Sequence, residues 1–241
     1  RDFIRRGRMC GYFNGGLVAL SDIVMNDVYC PPLGFQLIYA DEHMLVVDKP
    51  SGLLSVPGSV PERQDCMVSR AQVEFPDALI VHRLDMSTSG LLVLARGKAV
   101  HRILSMAFAA REVDKRYTAI VDGCMTKPQG EINLPLIADW PNRPKQKVDF
   151  EVGRPSITRY QVLECNSVLS TTRVELEPVT GRSHQLRVHL LSVGHIILGD
   201  DLYAPAEIRA KAPRLLLHAT SISLTHPITQ QHLSFNSPAP F

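Results

Sequence analysis

The segment His82-Arg83-Leu84-Asp85-Met86-Ser87-Thr88-Ser89, closed by Gly90, sets one acid beside two bases between apolar runs. Ala78 to Val81 precedes it and Leu91 to Ala95 follows. Aliphatic runs of this length, bounded by polar residues and glycine, read as buried strands, so the segment between them is a turn at a sheet edge. A carboxylate there lies near the core yet within reach of a ligand. The same residues also suit a plain turn, in which Asp85, Ser87, Thr88 and Ser89 hydrogen-bond local backbone. Reactivity asks for one thing more. Burial alone neutralises a carboxylate, and a guanidinium within hydrogen-bonding reach keeps it charged.

Read as His-Arg-Leu-Asp-x-x-Thr-Ser-Gly, the segment resembles the catalytic motif of the RluA family of pseudouridine synthases. Lys115-Arg116-Tyr117 with Ala119, Val121 and Gly123 resembles that family's tyrosine motif. The stretch from Gly181 through Gln185, Leu186 and Arg187 to His189 resembles its arginine motif. Leu198-Gly199-Asp200 and Leu215 to Ala219 match two further family segments in the expected order, and Lys49-Pro50-Ser51-Gly52 resembles another. Trp140 to Val148 is similar to the namesake RluA subgroup in particular. Any one match is weak alone, whereas ordered matches over roughly residues 37 to 241 are specific.

The resemblance implies an α+β fold with a mixed, mostly antiparallel central sheet, and an RNA isomerase needing no cofactor. It implies a uridine substrate in a stem-loop of large-subunit ribosomal RNA, of the transfer-RNA anticodon arm, or of both. Asp85 is then the reactive carboxylate, Arg187 its ionic partner, and Tyr117 the ring that stacks on the target base. Stacking suits Tyr117 better than general-base work, since an unperturbed phenol stays protonated at neutral pH. The target base must leave its stack before Asp85 can reach it, and Arg83 is placed to fill the vacated space. His82, Arg182, His184, Arg143, Lys145 and Lys147 are the candidates for contacts to phosphates and loop nucleotides. For Lys49, packing and substrate contact are equally open.

Two competing classes make different demands. An idle RNA-binding scaffold would tolerate loss of Asp85, Tyr117 or Arg187, and all three are present. A metal-dependent hydrolase would need clustered ligands, but His184 and His189 are five apart rather than four, with no cysteine beside them. Gly90 and Gly97-Lys98 do not make a phosphate loop, because Ala99 stands where a hydroxyl is required.

The chain has 241 residues, 45% hydrophobic and 21% charged, enough for one sizeable core. A net charge of +2 demands no polyanionic partner, so RNA binding must rest on local patches such as Arg143, Lys145 and Lys147. Five widely spaced cysteines without a C-x-x-C pair suggest reduced thiols in a cytosolic protein. No apolar run approaches a membrane span, and a monomer without an obligate protein partner is expected. Residues 1–33 read as an N-terminal extension before a catalytic domain over 34–241, with Met25 as the expected true start and no room for an S4 domain.

The positioning elements follow from hydrophobic periodicity. Phe35 to Tyr39 and Met44 to Asp48 predict a hairpin around Asp41-Glu42. Asp65 is expected to cap a helix running to Val73. Val100, Ile103, Leu104, Ala107 and Phe108 form the stripe of an amphipathic helix over 97–113. Strands are expected over 116–121, 132–137, 158–164 and 171–177. Ser183 should cap a helix with Leu186, Leu190 and Val193 on its buried face, ending at Gly194. A short helix over 205–211 and strands over 215–217, 222–224 and 233–235 complete the chain.

Overall fold

The computed structural model describes residues 29–241; the expected extension over 1–33, including Met25, lies almost wholly outside the described residues. Strands β1 (Gln36–Ala40) and β2 (Met44–Lys49) form the expected hairpin. Asp41 fixes its turn by accepting the backbone N–H groups of His43 and Met44, each at 2.7 Å. Helix α1 (Met67–Gln72) follows, then β3 (Ala78–Ile80) and β4 (Ser89–Arg96), the two strands expected on either side of Asp85. Cys66, not Asp65, occupies the cap of α1; Asp65 instead makes a two-pronged ion pair with Arg70 at 2.7 Å.

The amphipathic helix forms as α2 (Gly97–Ala110), burying Val100 and Leu104. It stops short of Val113 because Arg111 turns left-handed at φ 66°. Strand β5 (Asp114–Asp122) comes next, and the expected strand over 132–137 splits into β6 (Gln129–Asn133) and β7 (Leu136–Ala138). Pro135 sits at the break and offers no N–H to continue a ladder. β7 and β8 (Gln146–Val148) form a separate two-stranded sheet. The chain continues through β9 (Ile157–Asn166), β10 (Thr171–Pro178), α3 (Gln185–Ser192), α4 (Ala206–Arg209), β11 (Leu217–Thr225) and β12 (His232–Asn236). β11 spans 222–224 together with the end of 215–217, segments expected to be separate strands.

The large sheet has the order β1-β2-β4-β11-β5-β10-β9-β6, with β3 also on β4 and β12 also on β11. Only β4 and β11 run parallel, so the fold is α+β with a mixed, mostly antiparallel sheet, as expected. Every residue of β4 from Ser89 to Ala95 is buried, because apolar clusters cover both of its faces. Leu92 and Leu94 pack with Met67 and Ala71 of α1, while Leu91 and Val93 pack with Val100 and Leu104 of α2. A third cluster joins Ala119, Val174 and Leu176 to Leu186 and Leu190 of α3. Tyr117 touches both the α1 and the α3 clusters, so the two helices lie on one face with Tyr117 between them.

α3 is buried from Gln185 to Leu190 rather than along one stripe, and Val193 is exposed. Its cap is His184, left-handed at φ 52°, and not Ser183. Cys124 and Cys165 form a disulfide with their Cα atoms 5.8 Å apart, where reduced thiols were expected. The connection leaving β5 explains it: Gly123 N–H donates to Ser170 O at 2.7 Å and Met125 N–H to Thr172 Oγ1 at 3.0 Å, carrying Cys124 across the end of β10 to β9. Among the described residues no helix is long and apolar enough to cross a membrane.

Candidate active site around Asp85

Asp85 sits on the connection from β3 to β4, its side chain 28% exposed. The connection is tied down residue by residue from the segment after β2. Ser55 Oγ donates to Leu84 O at 2.7 Å and accepts the Leu84 N–H at 3.1 Å. Gly52 N–H donates to Met86 O at 2.8 Å, and Ser51 Oγ to Ser87 O at 2.7 Å. Thr88 N–H closes the turn on Asp85 O at 3.1 Å. Gly90 begins the exit strand at φ +111°, where a Cβ would fall 2.5 Å from Ala219 N and 2.8 Å from Ala219 Cα. The motif ends in glycine because β4 and β11 meet there with no room for a side chain.

Lys49 is fully buried and donates to three carbonyls, Leu53 at 2.7 Å, Pro50 at 3.0 Å and Met86 at 3.1 Å. An ammonium has three protons. All three are used in packing, which resolves the choice left open by the sequence. Burial pulls the Lys49 pKa down to about 7, against the attraction of the Asp85 carboxylate.

Arg187, 2% exposed, points Nη1 at Asp85 Oδ2, 3.8 Å away. Its shorter bonds go elsewhere. Nε donates to Asp200 Oδ2 at 2.8 Å, and Nη2 to Asp200 Oδ1 at 2.5 Å and Asp201 Oδ1 at 2.9 Å. Burial works against the Arg187 charge, but the Asp200 bonds and the three carboxylates outweigh it and hold the guanidinium cationic. Asp200 is itself buried and accepts the N–H groups of Leu202 and Tyr203, both at 3.0 Å. The arginine is therefore oriented from behind by Asp200 and presents its remaining edge to Asp85.

His184 brings Nε2 to 4.0 Å from Asp85 Oδ1. Tyr203 Oη accepts the Gln146 N–H at 2.7 Å, which leaves its own proton for His184 Nδ1, also at 2.7 Å. That assignment puts the histidine proton on Nε2, facing Asp85. Burial lowers the His184 pKa, with Asp85 opposing, so the ring is neutral near pH 7. Tyr203 also stacks against Arg187, 5.2 Å from guanidinium carbon to ring centroid. It had no signal in the sequence, since its partners lie on β8 and α3, both distant along the chain. Tyr117 is raised well above the ordinary phenol range, by burial first and by the Asp85 charge second.

The remaining expected site residues divide. Arg83 is exposed at the rim and makes no ion pair among the described residues. Arg182 is exposed on the turn before α3. Arg143 lies over the exposed Trp140 ring at 3.7 Å, and Lys147 pairs with Asp149 at 3.3 Å, an acid just beyond the basic stretch. Lys145 is half-buried, and its neighbour Gln146 ties this hairpin to His184 through Tyr203. His82 alone turns away. It stacks on Phe108 of α2, with ring centroids 4.4 Å apart, and its Nε2 accepts the Val93 N–H at 3.0 Å. Burial, with Lys115 adding to it, lowers its pKa to about 3, so a substrate-contacting role for His82 is replaced by a neutral structural one. Both residues lie on the connection from β3 to β4, which turns His82 toward Phe108 of α2 and Asp85 toward Arg187 of α3.

The ordered motifs and this geometry agree with what the chain is similar to. The family profile described as RNA pseudouridylate synthase matches residues 43–192. The "Dual-specificity RNA pseudouridine synthase RluA" of Escherichia coli (strain K12) is 53% identical over 205 residues, covering 85% of this chain and 93% of that protein. Its namesake from Pasteurella multocida (strain Pm70) is 50% identical over 215 residues, covering 88% and 98%. Among solved structures, "Human RNA Pseudouridylate Synthase Domain Containing 1" superposes with a TM-score of 0.71 at 28% identity, covering 86% of this chain and 84% of that one. The protein belongs to the RNA pseudouridylate synthase family and is an RNA isomerase.

Proposed function

We propose that this pseudouridine synthase acts on a uridine in a stem-loop of large-subunit ribosomal RNA, of the transfer-RNA anticodon arm, or of both, with Asp85 as its reacting carboxylate. The observation that carries the reading is the placement of Asp85, half-exposed between the floor at Tyr117 and the edge of Arg187, 3.8 Å away. The dual-specificity relatives support two RNA classes as substrates.

The reaction breaks the bond from uracil N1 to ribose C1′, turns the base, and joins C5 to C1′; C5 loses a proton and N1 gains one. Electrons balance within the substrate, so the chemistry calls for no redox partner. An ionised Asp85 meets the sugar or base in a site that must exclude water. Arg187, anchored by Asp200, keeps that carboxylate charged and aimed. Tyr117, held as a neutral phenol, stacks on the displaced base. Arg83 occupies the gap left in the RNA, while Arg182, His184, Arg143, Lys145 and Lys147 meet phosphates and loop nucleotides around the rim.

Residues 34–241 serve as the catalytic domain, in a cytoplasmic monomer of bacterial type that needs no protein partner. Incubation with transcripts carrying tritium at uracil C5 tests the reading, one transcript for each stem-loop. Tritium is released by the native protein and not by Asp85→Asn. Release that survives Asp85→Asn would overturn the assignment.

A further inference from the structure

Beside the Asp85 site, and separated from it by one wall, is a cleft of about 650 Å³. The wall is the contact of Ser87 Oγ with Asp201 Oδ2 at 3.4 Å. Ser51, Arg209 of α4, and Arg214 before β11 line the rest, over small residues such as Ala206. Its size suits a mononucleotide, since ligand pockets commonly run from about 300 to 1,000 Å³.

Two arginines, Arg209 and Arg214, line it, and neither makes an ion pair among the described residues. Arg214 Nη2 is buried with no hydrogen-bond acceptor, one of only two such side-chain atoms among the described residues. The guanidinium is steered by the ring of Phe241, 5.4 Å from its carbon to the centroid. Burial disfavours the Arg214 charge, with Asp48 opposing, so an anion in the cleft would stabilise the guanidinium. Asp201, the one acid in the lining, does not oppose this, because Arg187 already neutralises it at 2.9 Å.

We propose that this cleft is a subsite for the nucleotide next to the target uridine, with its phosphodiester on Arg209 and Arg214 and its sugar against Ser51 and Ser87. The proposal rests on the reading of the Asp85 site as the place where uridine reacts. Ser51 and Ser87 are themselves joined through Ser51 Oγ and Ser87 O, so a nucleotide seated here presses on the loop that carries Asp85.

The test uses the whole protein, a fluorescent stem-loop RNA that it modifies, and binding anisotropy over a series of salt concentrations. Arg209→Gln and Arg214→Gln should each flatten the slope of log K against log salt by about 0.7–0.9, the value of one phosphate contact. A set of RNAs with single neutral methylphosphonate linkages around the uridine then locates the contact. One linkage should weaken native binding about tenfold, the loss of a charge-assisted bond, and have no further effect on Arg209→Gln. Arg209 is exposed on a short helix, so its variant remains informative should Arg214→Gln misfold. Unchanged slopes for Arg209→Gln, or methylphosphonates that weaken native and variant protein equally, would overturn the subsite. An RNA bound normally by the native protein without tritium release would instead refute the reaction assigned to Asp85, and the two failures are separately visible.

Discussion

Arg187 is held more closely by Asp200 than by Asp85, and this makes the pair a single unit that can be measured. Arg187→Lys keeps the positive charge but loses the fork. Three short contacts, at 2.8, 2.5 and 2.9 Å, join the guanidinium to Asp200 and Asp201. A lysine reaching from the same position keeps one of them, so two charge-assisted bonds are lost at about 1.5–3 kcal/mol each. The sum, roughly 3–6 kcal/mol, overlaps the 3–5 kcal/mol typical of breaking a buried ion pair. Asp200→Asn removes the same bonds from the other side and should cost a similar amount. The double variant should then cost little more than either, leaving a coupling about equal to one single cost, roughly 3–6 kcal/mol. Urea unfolding of the native protein, the two single variants and the double variant gives the cycle directly. Tritium release should fall in Asp200→Asn as well, although Asp200 is buried behind Arg187. Stabilities that add within about 0.5 kcal/mol would refute the shared unit.

Other outcomes follow from neighbouring residues. The folded protein holds Lys49 near pKa 7, against an ordinary 10.5, so between these values the unfolded chain binds the extra proton and stability rises with pH. Below about pH 7 the full cost of the buried ammonium is felt, roughly 3–5 kcal/mol for a shift of this size. The difference between native protein and Lys49→Met in urea unfolding at pH 6.5 and 9.5 isolates this group from the also depressed Lys115, and a pH-independent difference would count against it. Gly90→Ala should destabilise by about 2–6 kcal/mol, combining left-handed strain with overpacking against Ala219. A near-native unfolding midpoint for that variant would contradict the close approach of β4 and β11.

Much of the scaffold is written in local pattern. The aliphatic runs on either side of Asp85 become β3 and β4, and the spacing of Val100 and Leu104 becomes the buried stripe of α2, because burial of a strand or helix face imposes a period on the residues that make it. Asp85, Tyr117 and Arg187 were legible from ordered motifs, and the fold brings them together. The failures share a cause. His82 lies three residues before Asp85, but the connection turns His82 toward α2 and Asp85 toward α3. The helix expected to begin at Ser183 starts two residues later, because His184 turns left-handed at φ 52° and Gln185 Oε1 folds back to accept the Arg182 N–H at 3.0 Å and the Thr180 hydroxyl at 2.7 Å. Cys124 and Cys165 are 41 residues apart and meet only because the connection leaving β5 crosses the end of β10 to reach β9.

From the sequence by itself come the family, the carboxylate proposed to react and the charge proposed to accompany it, since those depend on residue types in short motifs. Only the tertiary structure decides that Asp200 aims Arg187, that Tyr203 fixes the proton of His184, and that Lys49 spends its three protons on the loop beneath Asp85. Each of these is a hydrogen bond or ion pair between distant segments of the chain, and such pairs are made by how the sheet and helices pack, which no local pattern records.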